Sequence, residues 1–200
     1  MNYFRALIAN MLKYCLIFLF TLSLTKVCYA APQNEAEKNF KHSYLSCSII
    51  SSEHLTALQL YQRGLPRDVA IKSLPRITRA AKKRVKYVYD LAKKIGILNA
   101  YADINTNYTR CSTLVYQVKG KPAVDLRSHD YYFCSGENKV RYELILLTDQ
   151  QKTLQQLIDS FPARYKPMII NFYQLIKTKG TLAAFDLTAN NLKACLNQIQ

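Results

Sequence analysis

Apolar residues recur at steps of three and four along much of the chain, the spacing that lines one face of an α-helix. The clearest stretch, which begins near Ile77, has apolar residues at Ala81, Val85, Val88, Ala92 and Ile95. Gly96 follows directly and is a typical helix stop. The pattern predicts a helix from Arg76 to Lys94 whose apolar stripe faces the core.

Other stretches show the same period. The last one has apolar residues at Leu182, Phe185, Ala189, Leu192, Leu196 and Ile199. A stretch from Phe40 predicts a long helix that ends near Gly64, and Pro66 suits the first turn of the next helix. Residues 140–147 are rich in β-forming side chains, so both an edge strand and a helix are open there. We expect an all-α, helical-bundle fold.

The chain also repeats itself, and such a repeat decides the fold interpretation. A shift of 87 positions, which becomes 84 after a deletion of three residues, aligns the pairs His42/His129, Tyr44/Tyr131, Cys47/Cys134, Pro75/Pro162, Gly96/Gly180 and Cys111/Cys195. We therefore predict two tandem helical modules, residues 31–120 and 121–200. The repeat register favours helix over strand at residues 140–147.

Residues 1–30 have the pattern of a secretory signal peptide. Three basic residues and no acidic residue accompany an apolar run from Tyr14 to Leu24. The small residues at Cys28 and Ala30 predict cleavage after Ala30, and hence a periplasmic or secreted protein. An uncleaved anchor is the alternative, but Lys13 interrupts the apolar run short of the roughly 20 residues that span a bilayer.

Four cysteines remain after this cleavage: Cys47, Cys111, Cys134 and Cys195. An even number in an exported chain implies two disulfides, and counting alone allows three pairings. If each module descends from one crosslinked unit, the pairs are Cys47 with Cys111 and Cys134 with Cys195. Each bridge closes a loop of about 60 residues and contributes about 4 kcal/mol in the chain-entropy description.

Positive charge dominates the chain, which has 28 Lys and Arg against 13 Asp and Glu, a formal net charge of +15. Residues 31–120 hold 15 basic and 6 acidic residues, whereas residues 121–200 hold 10 and 7. The predicted helix from Arg76 carries seven basic residues in an arc of roughly 120° opposite its apolar stripe. These candidate anion-binding residues are Arg76, Arg79, Lys82, Lys83, Lys86, Lys93 and Lys94.

Within this helix, Asp90 lies four residues from both Lys86 and Lys94, the spacing of weak helical ion pairs. Arg84 lies near the apolar edge, where we expect it to pair or to extend towards solvent. A face of this charge suits an anionic lipid head group, an envelope polymer or an acidic protein, including contact with a membrane surface. An ordinary solvated helix face is the alternative, and export argues against nucleic acid.

Catalytic and cofactor motifs are scarce in the sequence. Its 5 glycines are too far apart for a glycine-rich phosphate loop, so we expect no nucleotide cofactor. His42 and His129 each lie five residues before a cysteine, a spacing that separates them on a helix surface and argues against a metal site. We therefore expect no metal and no cofactor.

One string, His129-Asp130-Tyr-Tyr-Phe-Cys134, resembles the His-Asp pair beside a cysteine in secreted phospholipases, where the histidine activates water. The glycine-rich calcium loop of those enzymes is absent, and Ser43 replaces the aspartate in the first module. The leading interpretation is an exported non-catalytic binding protein of the cell envelope that uses the basic helix. The alternative is a small hydrolase, acting on lipid or cell-wall substrate, centred on His129 and Asp130.

Overall fold

The computed structural model describes residues 41–74 and 77–199, so the predicted signal peptide and Arg76 lie outside the described residues. The first half contains α1 (Tyr44–Gln62), α2 (Arg67–Ser73), α3 (Arg79–Ile95) and α4 (Ile97–Lys119). The second half contains α5 (Arg127–Asp149), α6 (Leu154–Ser160), a 3-10 turn (Ala163–Tyr165) and α7 (Lys166–Asn197). No strand occurs in these ranges, which confirms the all-α prediction.

The ambiguous residues 140–147 lie inside α5 and are helical. Leu144 and Ile145 are each 1% exposed, so this part of α5 contributes directly to the core. Burial of apolar side chains in a tertiary contact outweighs the modest β-preference of a short segment. The helical interpretation of this stretch is therefore confirmed.

Hydroxyl side chains start several helices. Ser43 forms a reciprocal capping box with Ser46 at the start of α1, and Thr153 forms one with Gln156 at the start of α6. The side chain of Thr78 accepts a hydrogen bond of 3.1 Å from the backbone nitrogen of Ala81 in α3. Such caps satisfy backbone donors that have no partner within the helix.

Two glycines break the helices at matching points of the two halves. Gly96, with φ 81° and ψ 161°, separates α3 from α4. Gly180, with φ 83° and ψ 169°, divides α7 into arms of residues 166–179 and 181–197. This backbone region is essentially restricted to glycine. Both halves consequently have the order long helix, short helix, third helix, last helix.

Disulfides join the first and last helix of each half. Cys47 is bonded to Cys111 and Cys134 is bonded to Cys195, with Cα–Cα distances of 5.8 and 5.9 Å. This is the pairing predicted from the register of the repeat, and it is confirmed. Each bridge lies within one half, so neither crosslinks the two halves.

A single hydrophobic core draws side chains from both halves. At its centre the ring of Tyr101 in α4 stacks on that of Phe185 in α7, with centroids 5.3 Å apart and an interplanar angle of 9°. These two residues are equivalent in the 84-residue register. Between the halves, α1 also contacts α5 and α7, and α4 contacts α5 and α7. The halves therefore pack as one unit.

Polar contacts fix how the two halves meet. Nε2 of Gln59 in α1 donates to Oδ1 of Asp186 in α7 at 2.6 Å and to Oδ1 of Asn190 at 3.0 Å. Nδ2 of Asn138 in α5 donates to Oδ1 of Asn105 in α4 at 2.9 Å, and both amides are buried. Because a buried polar group without a partner is costly, these bonds favour one packing arrangement over others.

Candidate functional site

The basic face of α3 consists of six exposed side chains: Arg79, Lys82, Lys83, Lys86, Lys93 and Lys94. The other side of the helix is buried against neighbouring helices, at Ala81, Val85, Val88, Tyr89 and Ala92. The helical period of 3.6 residues separates the charged set from the apolar set, as the sequence pattern predicts. Arg76, the seventh predicted member, lies outside the described residues. The face offers several cations to one side of the molecule.

The one acidic side chain of α3 is paired with another helix. Oδ1 of Asp90 lies 3.6 Å from Nη1 of Arg67 at the start of α2. No ion pair within residues 77–199 joins Asp90 to Lys86 or Lys94, so the predicted intrahelical pairing is wrong. The physical reason is tertiary: α2 packs beside α3 and brings a guanidinium to the carboxylate. The two lysines therefore keep their charge available at the surface.

Arg84 points away from the basic face and pairs with α1. Its Nη2 and Nε each lie 2.5 Å from Oε2 of Glu53, and both side chains are partly buried. The expectation that Arg84 pairs is confirmed. This contact ties α3 to α1, and it leaves Arg84 out of the anion-binding set.

His54 lies beside this ion pair and is mostly buried. Its ring is 5.7 Å from that of Tyr87, and its Nε2 has no hydrogen-bond partner among the described residues. Burial, followed by the positive charge of Arg84, lowers the pKa of His54 to about 4, although Asp103 acts in the opposite direction. His54 is consequently uncharged at neutral pH and adds nothing to the basic face.

His42 lies closer to a disulfide than its sequence spacing predicts. The residue precedes α1, whose cap is Ser43, so the helical separation expected between His42 and Cys47 does not apply. A ring nitrogen of His42 and the sulfurs of Cys47 and Cys111 all lie within 4.8 Å of one another. Because both sulfurs belong to the disulfide, neither is a thiolate that could bind a metal ion.

His129 and Asp130 lie in the first turn of α5. Consecutive helical residues point about 100° apart, so these neighbours do not face each other. No hydrogen bond joins their side chains in the described part of the chain, and the ring of His129 instead lies 6.1 Å from that of Tyr132. The arrangement lacks the acid-to-histidine bond that orients a catalytic imidazole. His129, but not Asp130, lines the groove where α1, α4 and α5 meet, and the hydrolase stays a prediction.

A groove that the sequence does not reveal lies where the start of α1, the end of α4 and the start of α5 meet the region around Tyr165. The imidazole of His129 and five tyrosine or phenylalanine rings line this tyrosine groove: Tyr44, Tyr116, Tyr132, Phe133 and Tyr165. Its volume is about 730 Å³. Tyr132 is central, since Tyr44 meets it edge-on at 5.3 Å and Tyr116 lies nearly parallel to it at 6.1 Å.

Positive charge surrounds the tyrosine groove. Its exposed cations are Lys121, Lys139 and Arg164. Of the residues that line it, Glu137 alone is acidic, and its carboxylate is 3.1 Å from Nη2 of Arg141 in the same helix. The charge of Glu137 is therefore balanced within α5, which leaves the groove positive.

Tyr44 anchors one wall of the groove. Its hydroxyl donates a hydrogen bond of 3.1 Å to the carbonyl of Gly120, where α4 ends and the linker begins. Burial, and then the nearby hydroxyls of Tyr132 and Tyr116, raise the pKa of Tyr44 to about 12. The phenol of Tyr44 thus stays protonated and able to donate to Gly120. Lys121 follows Gly120 directly and lies at the groove rim.

The comparisons with known proteins assign no relative. No protein-family model matches the chain, and neither the curated proteins nor the solved structures include a significant match. None of the helices in the described ranges combines the length and hydropathy that a membrane span requires. A functional assignment therefore depends on the two surfaces above.

Proposed function

We propose that this chain is an exported, non-catalytic binding protein of the cell envelope whose basic face docks on anionic lipid head groups. The observation that carries the proposal is the exposure of all six described residues of the basic face, next to a carboxylate already paired with Arg67. A basic residue near an anionic membrane surface contributes about 1 kcal/mol, and six on one side act together. An envelope polymer and an acidic protein are the other partners of this chemistry.

An exposed aromatic ring supports the lipid interpretation. Tyr87 is 48% exposed and lies one turn along α3 from Lys83, which places it beside the cations. Tyrosine is enriched at membrane–water interfaces because its ring is apolar and its hydroxyl is polar. The surface of α3 therefore combines charge with an interfacial side chain.

The proposal includes export and a duplicated origin. Removal of residues 1–30 after Ala30 would place the mature chain in the periplasm or outside the cell, and two disulfides fit such an oxidising compartment. The common helix order and the matching glycine breaks support two tandem modules, residues 31–120 and 121–200. N-terminal sequencing of the exported protein should begin at Ala31. A start at Met1 would contradict cleavage.

Vesicle sedimentation tests the lipid proposal. The protein should sediment with vesicles that contain phosphatidylglycerol, remain free with pure phosphatidylcholine vesicles, and be released by high salt. The triple variant Lys82→Glu, Lys83→Glu and Lys86→Glu should bind at least about tenfold more weakly, because it loses three surface contacts. A matched control changes three exposed lysines elsewhere by the same total charge: Lys152→Glu, Lys166→Glu and Lys179→Glu.

Two results would overturn the lipid proposal. Equal weakening in both triple variants would mean that net charge, rather than the basic face, governs binding. The second result is that the protein does not bind vesicles but binds a soluble polyanion tightly, and that only the α3 variant loses this binding. The partner of the basic face would then be an envelope polymer and not a lipid.

A further inference from the structure

We propose that the tyrosine groove binds a small molecule in which a ring is joined to a negatively charged group. The groove has a volume of about 730 Å³ and lies at the meeting of several helices. Small-molecule sites typically occupy about 300–1,000 Å³ and combine apolar or aromatic walls with a few polar groups. The size and lining of this groove match that description.

The aromatic side chains supply the surface for a ring. Tyr116 is 50% exposed and Phe133 is 56% exposed, although both are large rings in a folded chain. One face of Tyr116 packs towards Tyr132, with an interplanar angle of 19°. A flat ring placed against such a side chain gains about 1–3 kcal/mol when the ring is a nucleobase. The groove therefore presents rings where a ligand can reach them.

The cations at the rim supply the charge selectivity. Lys121 and Arg164 form no ion pair with a carboxylate within residues 77–199, whereas Lys139 lies 3.7 Å from Glu143. The guanidinium of Arg164 is 4.8 Å from the ring centre of Tyr165 and donates to its hydroxyl at 3.1 Å. Stacking of this kind holds the arginine in place, and a guanidinium suits phosphate or carboxylate oxygens.

This site is separate from the basic face. No residue of α3 lines the groove. A concave groove also suits a compact ligand, whereas a flat lipid surface would contact the rim alone. The inference therefore goes beyond the proposed function, and either can fail without the other.

Calorimetric titration of the purified, disulfide-bonded chain tests the site with four probes. Phenyl phosphate and glucose 6-phosphate each join a ring to a phosphate, phenol has a ring without charge, and inorganic phosphate has charge without a ring. At least one ring-bearing phosphate should bind about tenfold or more tightly than both phenol and inorganic phosphate. The tighter of the two distinguishes an aromatic ligand from a sugar ligand.

Variants locate the binding. Tyr116→Ala and Lys121→Glu should each weaken binding of the ring-bearing phosphate by about tenfold. The tyrosine variant loses the ring contact, and the lysine variant reverses a charge at the rim. Leu98→Ala and Lys152→Glu are the matched controls, because Leu98 does not line the groove and is 44% exposed against 50% for Tyr116. Circular dichroism checks that each variant is folded. If the Tyr116 variant misfolds, the Lys121 variant still tests the site, because Lys121 is exposed and its replacement leaves the core unchanged.

The outcomes that overturn the inference are specific. If neither ring-bearing phosphate binds more tightly than inorganic phosphate, the aromatic walls do not contribute to binding. If groove variants and control variants weaken binding equally, the ligand lies elsewhere on the chain.

Discussion

Removal of either disulfide should destabilise the whole protein by a similar amount. The bridges close loops with sequence separations of 64 and 61 residues. In the chain-entropy description, a bridge that closes a loop of this length reduces the conformational entropy of the unfolded chain. This raises the free energy of the unfolded state by about 4 kcal/mol at 25 °C. Replacing Cys47 and Cys111 by alanine should therefore lower the free energy of unfolding by about 4 kcal/mol, and so should replacing Cys134 and Cys195.

The two losses should add, because the loops do not overlap along the chain. Their sum of about 8 kcal/mol falls within the total stability of a typical domain, about 5–15 kcal/mol, so the chain without bridges should be marginal or unfolded. Since one core serves both halves, each single-bridge variant should still unfold in one transition.

Guanidinium denaturation followed by far-ultraviolet circular dichroism measures these values. Peptide mapping without reductant confirms which bridge remains in each variant. The reasoning would be refuted by a loss below about 1 kcal/mol in either single-bridge variant. Two separate transitions, with only one half shifted, would refute the shared core.

Three further predictions concern single side chains. His54 has a pKa of about 4 in the folded chain against 6.5 for the free side chain, so stability should fall by about 3 kcal/mol as pH decreases from about 6.5 to 4. His54→Gln should abolish most of this slope in denaturation curves measured across that pH range. Gly180→Ala should lower the free energy of unfolding by about 1–3 kcal/mol because the residue has a positive φ. Gly136→Ala, inside α5, should instead stabilise the helix by up to about 1 kcal/mol. Equal shifts of the melting temperature in the two variants would contradict this reasoning. Tyr108→Phe should lower the free energy of unfolding by about 1–3 kcal/mol, because it removes the hydrogen-bond partner of the buried Ser48 hydroxyl, 2.8 Å away. The double variant with Ser48→Ala should recover part of that loss when both are measured by chemical denaturation.

The helices were accessible from the sequence because local periodicity and stop signals govern them, whereas the disulfide pairing was accessible because the chain repeats itself. The apolar period places α3, Gly96 ends it, and the repeat register selects Cys47 with Cys111 from three pairings. Even the β-rich residues 140–147 follow the register, since their side chains fill the same core as the rest of α5.

The tyrosine groove and the ion pairs were not accessible in this way. Tyr44, Tyr132 and Arg164 are far apart along the chain, and only tertiary packing brings them to one groove. Asp90 likewise pairs with Arg67 because α2 lies next to α3, a contact that helical spacing does not encode. The sequence has 15 tyrosines and no tryptophan, but this composition does not say which rings remain exposed after folding.

The placement of the bridges decides what a protease can separate. The turn at residues 63–66 is largely exposed, yet it lies inside the loop closed by Cys47 and Cys111. After a cut there, the disulfide would still join the two fragments. The cleaved chain would migrate as the intact protein in gel electrophoresis without reductant and would separate into two fragments when reduced. Between Cys47 and Cys195, only residues 112–133 lie outside both loops, so a single cut divides the two halves only in that stretch. A cut at any other point between Cys47 and Cys195 leaves the two fragments joined by a disulfide.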